Sequence, residues 1–207
     1  MKNIWLILVL ILAGCTTTQI TSTWRNPEPL PVTVDPILII GVMNEQDSNL
    51  CRKMEERFAA SLNTLGYHAA SSISEYGANA FDALNEEEPF KFLYRTRFKT
   101  IITIELLNKE TVAFPKPVWL ETDVDWFNHP FRDQKPGVNN ISALQTRYLW
   151  ESNYYDMNQI LLMYTVNSKS DEPSSNKKMS QEYSKIIIDN MVKSGLLKKE
   201  IVPLKAF

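Results

Sequence analysis

The residues best able to do chemistry sit together in Glu121-Thr122-Asp123-Val124-Asp125-Trp126-Phe127-Asn128-His129-Pro130. Asp123, Asp125 and His129 place two carboxylates and an imidazole within seven residues, a donor set that suits a divalent cation. The spacing lacks the glycine turn and closing glutamate of a calcium loop, so solvated loop acids are the plainer reading and no metal is expected. Glu121 and Asp125 also offer a carboxylate pair, which means glycoside chemistry only at a defined separation in space. The rings of the same stretch say more. Phe114, Trp119, Trp126, Phe127 and Phe131 stand among Pro115, Pro117, Pro130 and Pro136, within an irregular segment spanning 112–137. Rigid aromatics on long loops serve as binding anchors. Trp119, Trp126, Phe127 and Phe131 are therefore expected to meet a partner or ligand. An alternative use of Trp119 and Trp126 is to stack on a glycan, and the competing reading is that the rings cover a core or sheet edge.

Other chemistry is poorly served. The glycines are too scattered for a dinucleotide fingerprint or a P-loop. The segment Asn44-Glu45-Gln46-Asp47, where a phosphate would sit in such a fold, puts two carboxylates at the start of a helix. No G-x-S-x-G elbow is present. His68 has no acid or nucleophile tied to it by spacing and reads as structural or partly exposed. With 22 basic against 24 acidic side chains the formal charge is −2, which argues against a nucleic-acid footprint. The expectation is a protein that is not an enzyme and uses neither cofactor nor nucleotide.

The elements that position these residues follow from periodicity. Pro36–Met43 is a continuous, β-branched-rich run, as in a strand buried on both faces. Asp47 or Ser48 can cap a helix whose Leu50, Met54, Phe58, Leu62 and Leu65 form one stripe, with Gly66 at its end. A short strand over 67–71 completes a right-handed βαβ unit. Residues 85–96 suggest a short helix and Lys99–Leu107 a second strong strand. Leu144–Tyr155 and Ile160–Val166, joined by Asp156-Met157-Asn158-Gln159, read as an antiparallel hairpin. A closing helix, capped by Ser174 or Ser175, presents Met179, Tyr183, Ile186, Ile187, Asn190 and Met191 and ends at Gly195 with Leu196 after it. The fold class is α/β, a single mixed-sheet domain over 36–207 with a βαβ start, a carboxy-terminal β-hairpin and a closing helix.

The first residues carry an address. Lys2 precedes the apolar run Ile4–Leu12, which is too short for a permanent span and has the size of a signal-peptide core. Leu12-Ala13-Gly14-Cys15 resembles the lipobox of bacterial lipoproteins. The resemblance implies that residues 1–14 are a removed signal peptide, that the Cys15 thiol carries a diacylglyceryl group, and that its new amino terminus is acylated. Several acyl chains anchor stably where one binds only marginally. Thr16, not Asp, follows the cysteine, which implies an outer-membrane, periplasm-facing destination. Loss of Lys2 with the signal takes the formal charge from −2 to −3. Residues 15–35, rich in Thr and with Pro27, Pro29 and Pro31, read as a lipid-anchored tether, free to about Ser22, with Trp24 docked on the domain. Cys51, beside the apolar stripe of the first helix, is expected to be buried.

A wider resemblance rests on Thr23-Trp24-Arg25-Asn26-Pro27 after the lipobox and on the Ile37–Met43 strand. It continues through Arg52, Glu55 and Phe58 in the first helix, Gly66, the hairpin from Tyr148 to Val166, and Ser194-Gly195-Leu196. In these the chain resembles a family of bacterial envelope lipoproteins without an established biochemical role. That family is similar in fold to the amino-terminal α/β domain of the Tol system's periplasmic propeller protein and to curli-secretion lipoproteins. The resemblance implies an envelope interaction or assembly module with a protein partner.

Overall fold

The structure, a computed structural model, describes residues 17–28, 35–77, 96–115 and 142–199. Six strands form one mixed sheet: β1 (Thr18–Arg25), β2 (Ile37–Val42), β3 (Ala69–Ser71), β4 (Thr100–Pro115), β5 (Ser142–Asp156) and β6 (Leu161–Asp171). Their order across the sheet is β1-β6-β5-β4-β2-β3. The helices are α1 (Ser48–Thr64), the single-turn-scale α2 (Ser72–Tyr76) and α3 (Asn176–Lys193). This is the α/β mixed-sheet arrangement that the sequence predicts.

The strand β2 lies between β3 and β4, parallel to both, and its Ile37, Leu38, Ile39 and Ile40 are all buried. A strand covered on both faces has no reason to alternate polar with apolar residues, and this one does not. Ile37 and Ile39 join the main core under α1 and α3. Leu38 and Ile40 join a smaller cluster with Phe98, Ile101 and Met157 on the other face. The predicted stripe of α1 is what it buries: Leu50, Met54, Phe58 and Leu62. Gly66 then adopts φ 97°, a left-handed backbone open to glycine at no steric cost, and the chain turns into β3.

The closing helix follows the sequence closely. Ser175 caps it, its hydroxyl accepting from the Lys178 N–H at 3.2 Å. At the far end the Leu196 N–H donates to the Met191 carbonyl and the Gly195 N–H to that of Val192, each at 3.0 Å, with Gly195 at φ 73°. These are the paired bonds of a Schellman end, and Leu196 is buried beside Met191. Ile186 and Asn190 of the predicted face are only half-buried. The helix turns Ile188 inward instead, together with Met179, Tyr183, Ile187 and Met191.

Three elements differ from the sequence reading. The stretch read as tether contains β1, antiparallel to β6 from Thr18↔Ser170 to Arg25↔Tyr164. Thr and Ser are good strand residues, and the hydroxyls of Thr18 and Ser170 bond one another in the interior at 2.8 Å. Within this edge strand Trp24 is 48% exposed, so the ring does not enter the core. The second difference is length: β4 continues past Leu107 to Pro115, and β6 continues past Val166 to Asp171. The third follows from it. Val112–Pro115, read as the start of an irregular segment, pairs with Ser142–Gln145. The region proposed as a short helix over 85–96 lies outside the described residues except for Thr96.

Candidate functional site

Both β4 and β5 outrun their neighbours. The last residue of β2 to pair is Val42, opposite Glu105, and β6 leaves β5 at Arg147↔Asp171. From Thr111↔Thr146 to Pro115↔Ser142 the two strands pair only with each other, as a ribbon beyond the sheet. Paired Pro115 and Ser142 bracket residues 116–141. Of the predicted contact residues, Trp119, Trp126, Phe127 and Phe131 lie in that bracketed stretch, outside the described residues. So do Asp123, Asp125 and His129, and so does Cys15 at the other end of the chain.

What the structure does describe is the foot of the ribbon. A β-bulge between Leu106 and Asn108 sets the register there and leaves Leu107 50% exposed. Just past it, the Lys109 ammonium donates to Asp47 Oδ1 at 2.6 Å, tying the ribbon to the start of α1. The same ammonium lies 5.6 Å above the Tyr148 ring. Tyr148 stacks on Trp150 at 5.9 Å, and Trp150 meets Tyr183 of α3 at 5.3 Å with a tilt of 56°. A continuous file of rings thus connects ribbon, sheet and closing helix. Burial raises the Tyr148 phenol above its ordinary value, with Lys109 pulling the other way. Burial raises Tyr183 much further, against its bond with the Ser152 hydroxyl at 2.8 Å. Both phenols stay neutral and hold packing roles.

Glu55, on the inward side of α1, is the most heavily bonded group described. It is 1% exposed. Its Oε1 accepts from the Gly41 N–H at 2.7 Å and the Ser72 hydroxyl at 2.8 Å. Its Oε2 accepts from the Ser71 hydroxyl at 2.8 Å and the Ile73 N–H at 3.0 Å. A buried carboxylate is tolerated when every lone pair is engaged. This one joins β2, the end of β3 and the start of α2. Gly41 is the other half of the joint, since a Cβ there would stand 2.3 Å from Cys51 Sγ. Cys51 itself is buried, as its place beside the stripe predicts.

At the opposite end of the sheet a cleft of about 630 Å³ is lined by Pro36, Tyr67, His68, Ala70, Arg97 and Phe98, among others. His68 sits on its rim, 85% exposed at the side chain, with Nδ1 on Asp35 Oδ2. Arg97 forks onto Glu75 at 2.9 and 3.0 Å and lies 5.2 Å over the Phe98 ring. These are surface ion pairs of small energetic worth. Among the described residues no three His, Cys, Asp or Glu side chains gather as a metal site. Two carboxylate oxygens, Asp47 Oδ2 and Asp156 Oδ2, are buried without a hydrogen bond from the described residues.

No protein-family model matches the chain, and no curated protein matches it. Solved structures align along most of its length with little sequence in common. A PelC dodecamer from Paraburkholderia phytofirmans aligns with a TM-score of 0.44 and 7% identity, covering 81% of this chain and 96% of that one. The lipoprotein GNA1162 from Neisseria meningitidis aligns with a TM-score of 0.43 and 11% identity, over 76% and 97%. A PDZ domain protein from Parabacteroides distasonis gives 0.39 and 9%, over 100% of this chain and 41% of that one. Likenesses of this size assign neither family nor activity. No helix among the described residues is long and apolar enough to cross a membrane.

The Glu55 joint and the Lys109–Asp47 tie were not foreseen. A partial signal existed for Glu55, which is spaced three and four residues from Phe58, Ala59 and Cys51 on the inward side of α1. A carboxylate at such a position needs donors, and Ser71-Ser72 supplies them. For Lys109 and Asp47, which are 62 residues apart, no local pattern exists.

Proposed function

We propose that this chain is a lipid-anchored, periplasm-facing protein of the bacterial outer membrane that acts by contact and not by catalysis. The carrying observation is the run from Lys2 through Ile4–Leu12 to Leu12-Ala13-Gly14-Cys15, which supplies charge, apolar core, small residues and thiol in the order of a lipoprotein signal. Cys15 bears the lipid, and Thr16 after it directs the protein outward. Support for a contact role comes from the paired ribbon of β4 and β5. It brackets the stretch that contains Trp119, Trp126, Phe127 and Phe131 and is braced at its foot by Lys109, Asp47 and the file of rings. An envelope partner that meets Trp119, Trp126, Phe127 and Phe131 makes the protein an interaction or assembly module.

Mass spectrometry of the mature amino terminus tests the anchor. A diacylglyceryl-modified Cys15, lost together with membrane fractionation in Cys15→Ser, is expected. An intact Met1 or an unmodified Cys15 in membrane-purified protein overturns the reading. For the contact role, crosslinking in intact envelopes is expected to recover a partner that Trp126→Ala loses. No partner in either form would count against it.

A further inference from the structure

We infer that the ribbon end of the sheet lies against the lipid surface, so that the domain touches the bilayer with protein as well as with the lipid on Cys15. The inference rests on the lipid anchor proposed above and adds an orientation that the strand register supplies.

One row across the sheet runs Thr18–Ser170–Tyr148–Lys109, read through the three successive strand pairings. Thr18 is held firmly in it, buried and bonded to Ser170 at 2.8 Å. Thr17 is held too, since both its N–H and its hydroxyl donate to Glu182 Oε2 of α3, at 3.2 and 2.7 Å. Only Thr16 then separates the fixed chain from Cys15. At about 3.3 Å per residue, Cys15 lies no more than about 10 Å beyond the row. Its acyl chains start there, so the bilayer surface does as well.

The ribbon leaves the same row on the same side. β1 runs away from its amino end antiparallel to β6, β6 antiparallel to β5, and β5 antiparallel to β4. Hence Ser142–Arg147 and Glu110–Pro115 extend in the direction from which Thr17 arrives. Six pairs at about 3.4 Å each reach about 20 Å past the row. Strand twist accumulated over the two intervals from β1 to β5 amounts to about 45° and leaves about 14 Å of this along the β1 direction. The ribbon therefore reaches as far as the anchored cysteine can, or farther.

Its side chains suit that place. Leu144 is 71% exposed, an extreme for an apolar residue of a paired strand; Ala113 lies directly across from it and Val112 across from its neighbour Gln145. Two acids of this end are engaged within the protein: Asp171 accepts from Arg147 at 2.7 Å and Glu172 from the Thr146 N–H at 2.9 Å. Glu110 is exposed, opposite Arg147 in the register. The first turn of α3 contains no acid but carries the exposed Lys177 and Lys178, the charge sign a helix start disfavours, with Lys178 Nζ 3.8 Å from Glu182 Oε1. On this side of the domain they are placed to meet lipid phosphates.

The test places a fluorophore on Leu144→Cys or on Asn158→Cys, the latter in the exposed turn at the opposite end of β5. Cys51 is buried and Cys15 is spent as a thioether, so the label goes where it is sent. Full-length lipidated protein is reconstituted in vesicles of phosphatidylethanolamine with about 30% phosphatidylglycerol, some of the lipid bearing a headgroup nitroxide. Quenching at Leu144 at least several-fold stronger than at Asn158 is expected. Equal quenching in protein whose Cys15 lipid is verified by mass overturns the orientation and leaves the anchor standing. Shielding of the Leu144 label only when envelope proteins are added assigns the ribbon to a protein partner, and likewise overturns it. Absence of the lipid on Cys15 removes anchor and orientation together.

Discussion

Replacing Glu55 by glutamine changes one oxygen to an amide nitrogen, and the geometry decides what that costs. Each carboxylate oxygen receives one backbone N–H and one serine hydroxyl: Gly41 and Ser72 on Oε1, Ile73 and Ser71 on Oε2. Flipping the amide gives no escape. Whichever oxygen becomes NH₂, the facing hydroxyl can rotate and accept, but the facing backbone N–H is left donor against donor. The loss is one buried, charge-assisted hydrogen bond and one unsatisfied N–H, about 2–3 kcal/mol together. In a domain of this size that is a fall in Tm of about 5–10 °C. Denaturant unfolding of the full chain should show the lower midpoint with an unchanged slope. Ser72→Ala serves as a comparison: it removes one donor while Oε1 keeps Gly41, and should cost about 1 kcal/mol. A Glu55→Gln protein within about 0.5 kcal/mol of the parent, inside the usual range for surface changes, would refute the four-donor account.

Gly41→Ala drives a methyl to 2.3 Å from Cys51 Sγ, so α1 must lift from β2, at a cost of about 1–3 kcal/mol. Cys51→Ala in the same chain removes the obstructing sulfur, and the double variant should recover part of the loss in a thermal melt. At high pH the buried phenols resist ionisation. Tyr154 is pushed up to about 12, by burial first and then by Asp156, against its bond to Thr100. An unfolded tyrosine loses its proton near pH 10, so the native state binds the extra proton between those values. Stability is full below pH 10 and falls as pH rises toward 12. Tyrosinate absorbance should therefore rise in one step with loss of secondary structure, and Tyr154→Phe should shift that step to higher pH.

The parts of the fold legible in the sequence are those dictated by neighbours in the chain. The stripe Leu50, Met54, Phe58, Leu62 and the run Ile37–Ile40 announce their burial because a helix or strand has one period and one inner face. Ser175 and Gly195 announce the ends of α3 through cap chemistry confined to a few residues. Thr18–Arg25 was concealed because Thr, Ser and Gln are at home both in a solvated linker and on a sheet edge. The choice was made by β6, far along the chain. The ribbon was concealed for a related reason. Two strands that face water on both sides need no apolar alternation, and Glu110, Thr111, Gln145 and Thr146 show none. The chemistry-bearing residues of the site separate in the same way. Glu55 was readable as an acid on an inward face, whereas the Lys109–Asp47 pair exists only once α1 and β4 have been laid side by side.

The pairing of β1 with β6 also orders events in time. Thr18 finds Ser170 at a separation of 152 residues, so the part of the body made earliest is seated among the latest. On the proposed lipoprotein route, which threads the chain across a membrane amino terminus first, β1 has nothing to lie against until β6 has followed it through. The β1 edge of the sheet therefore closes last, when nearly all of the chain is present.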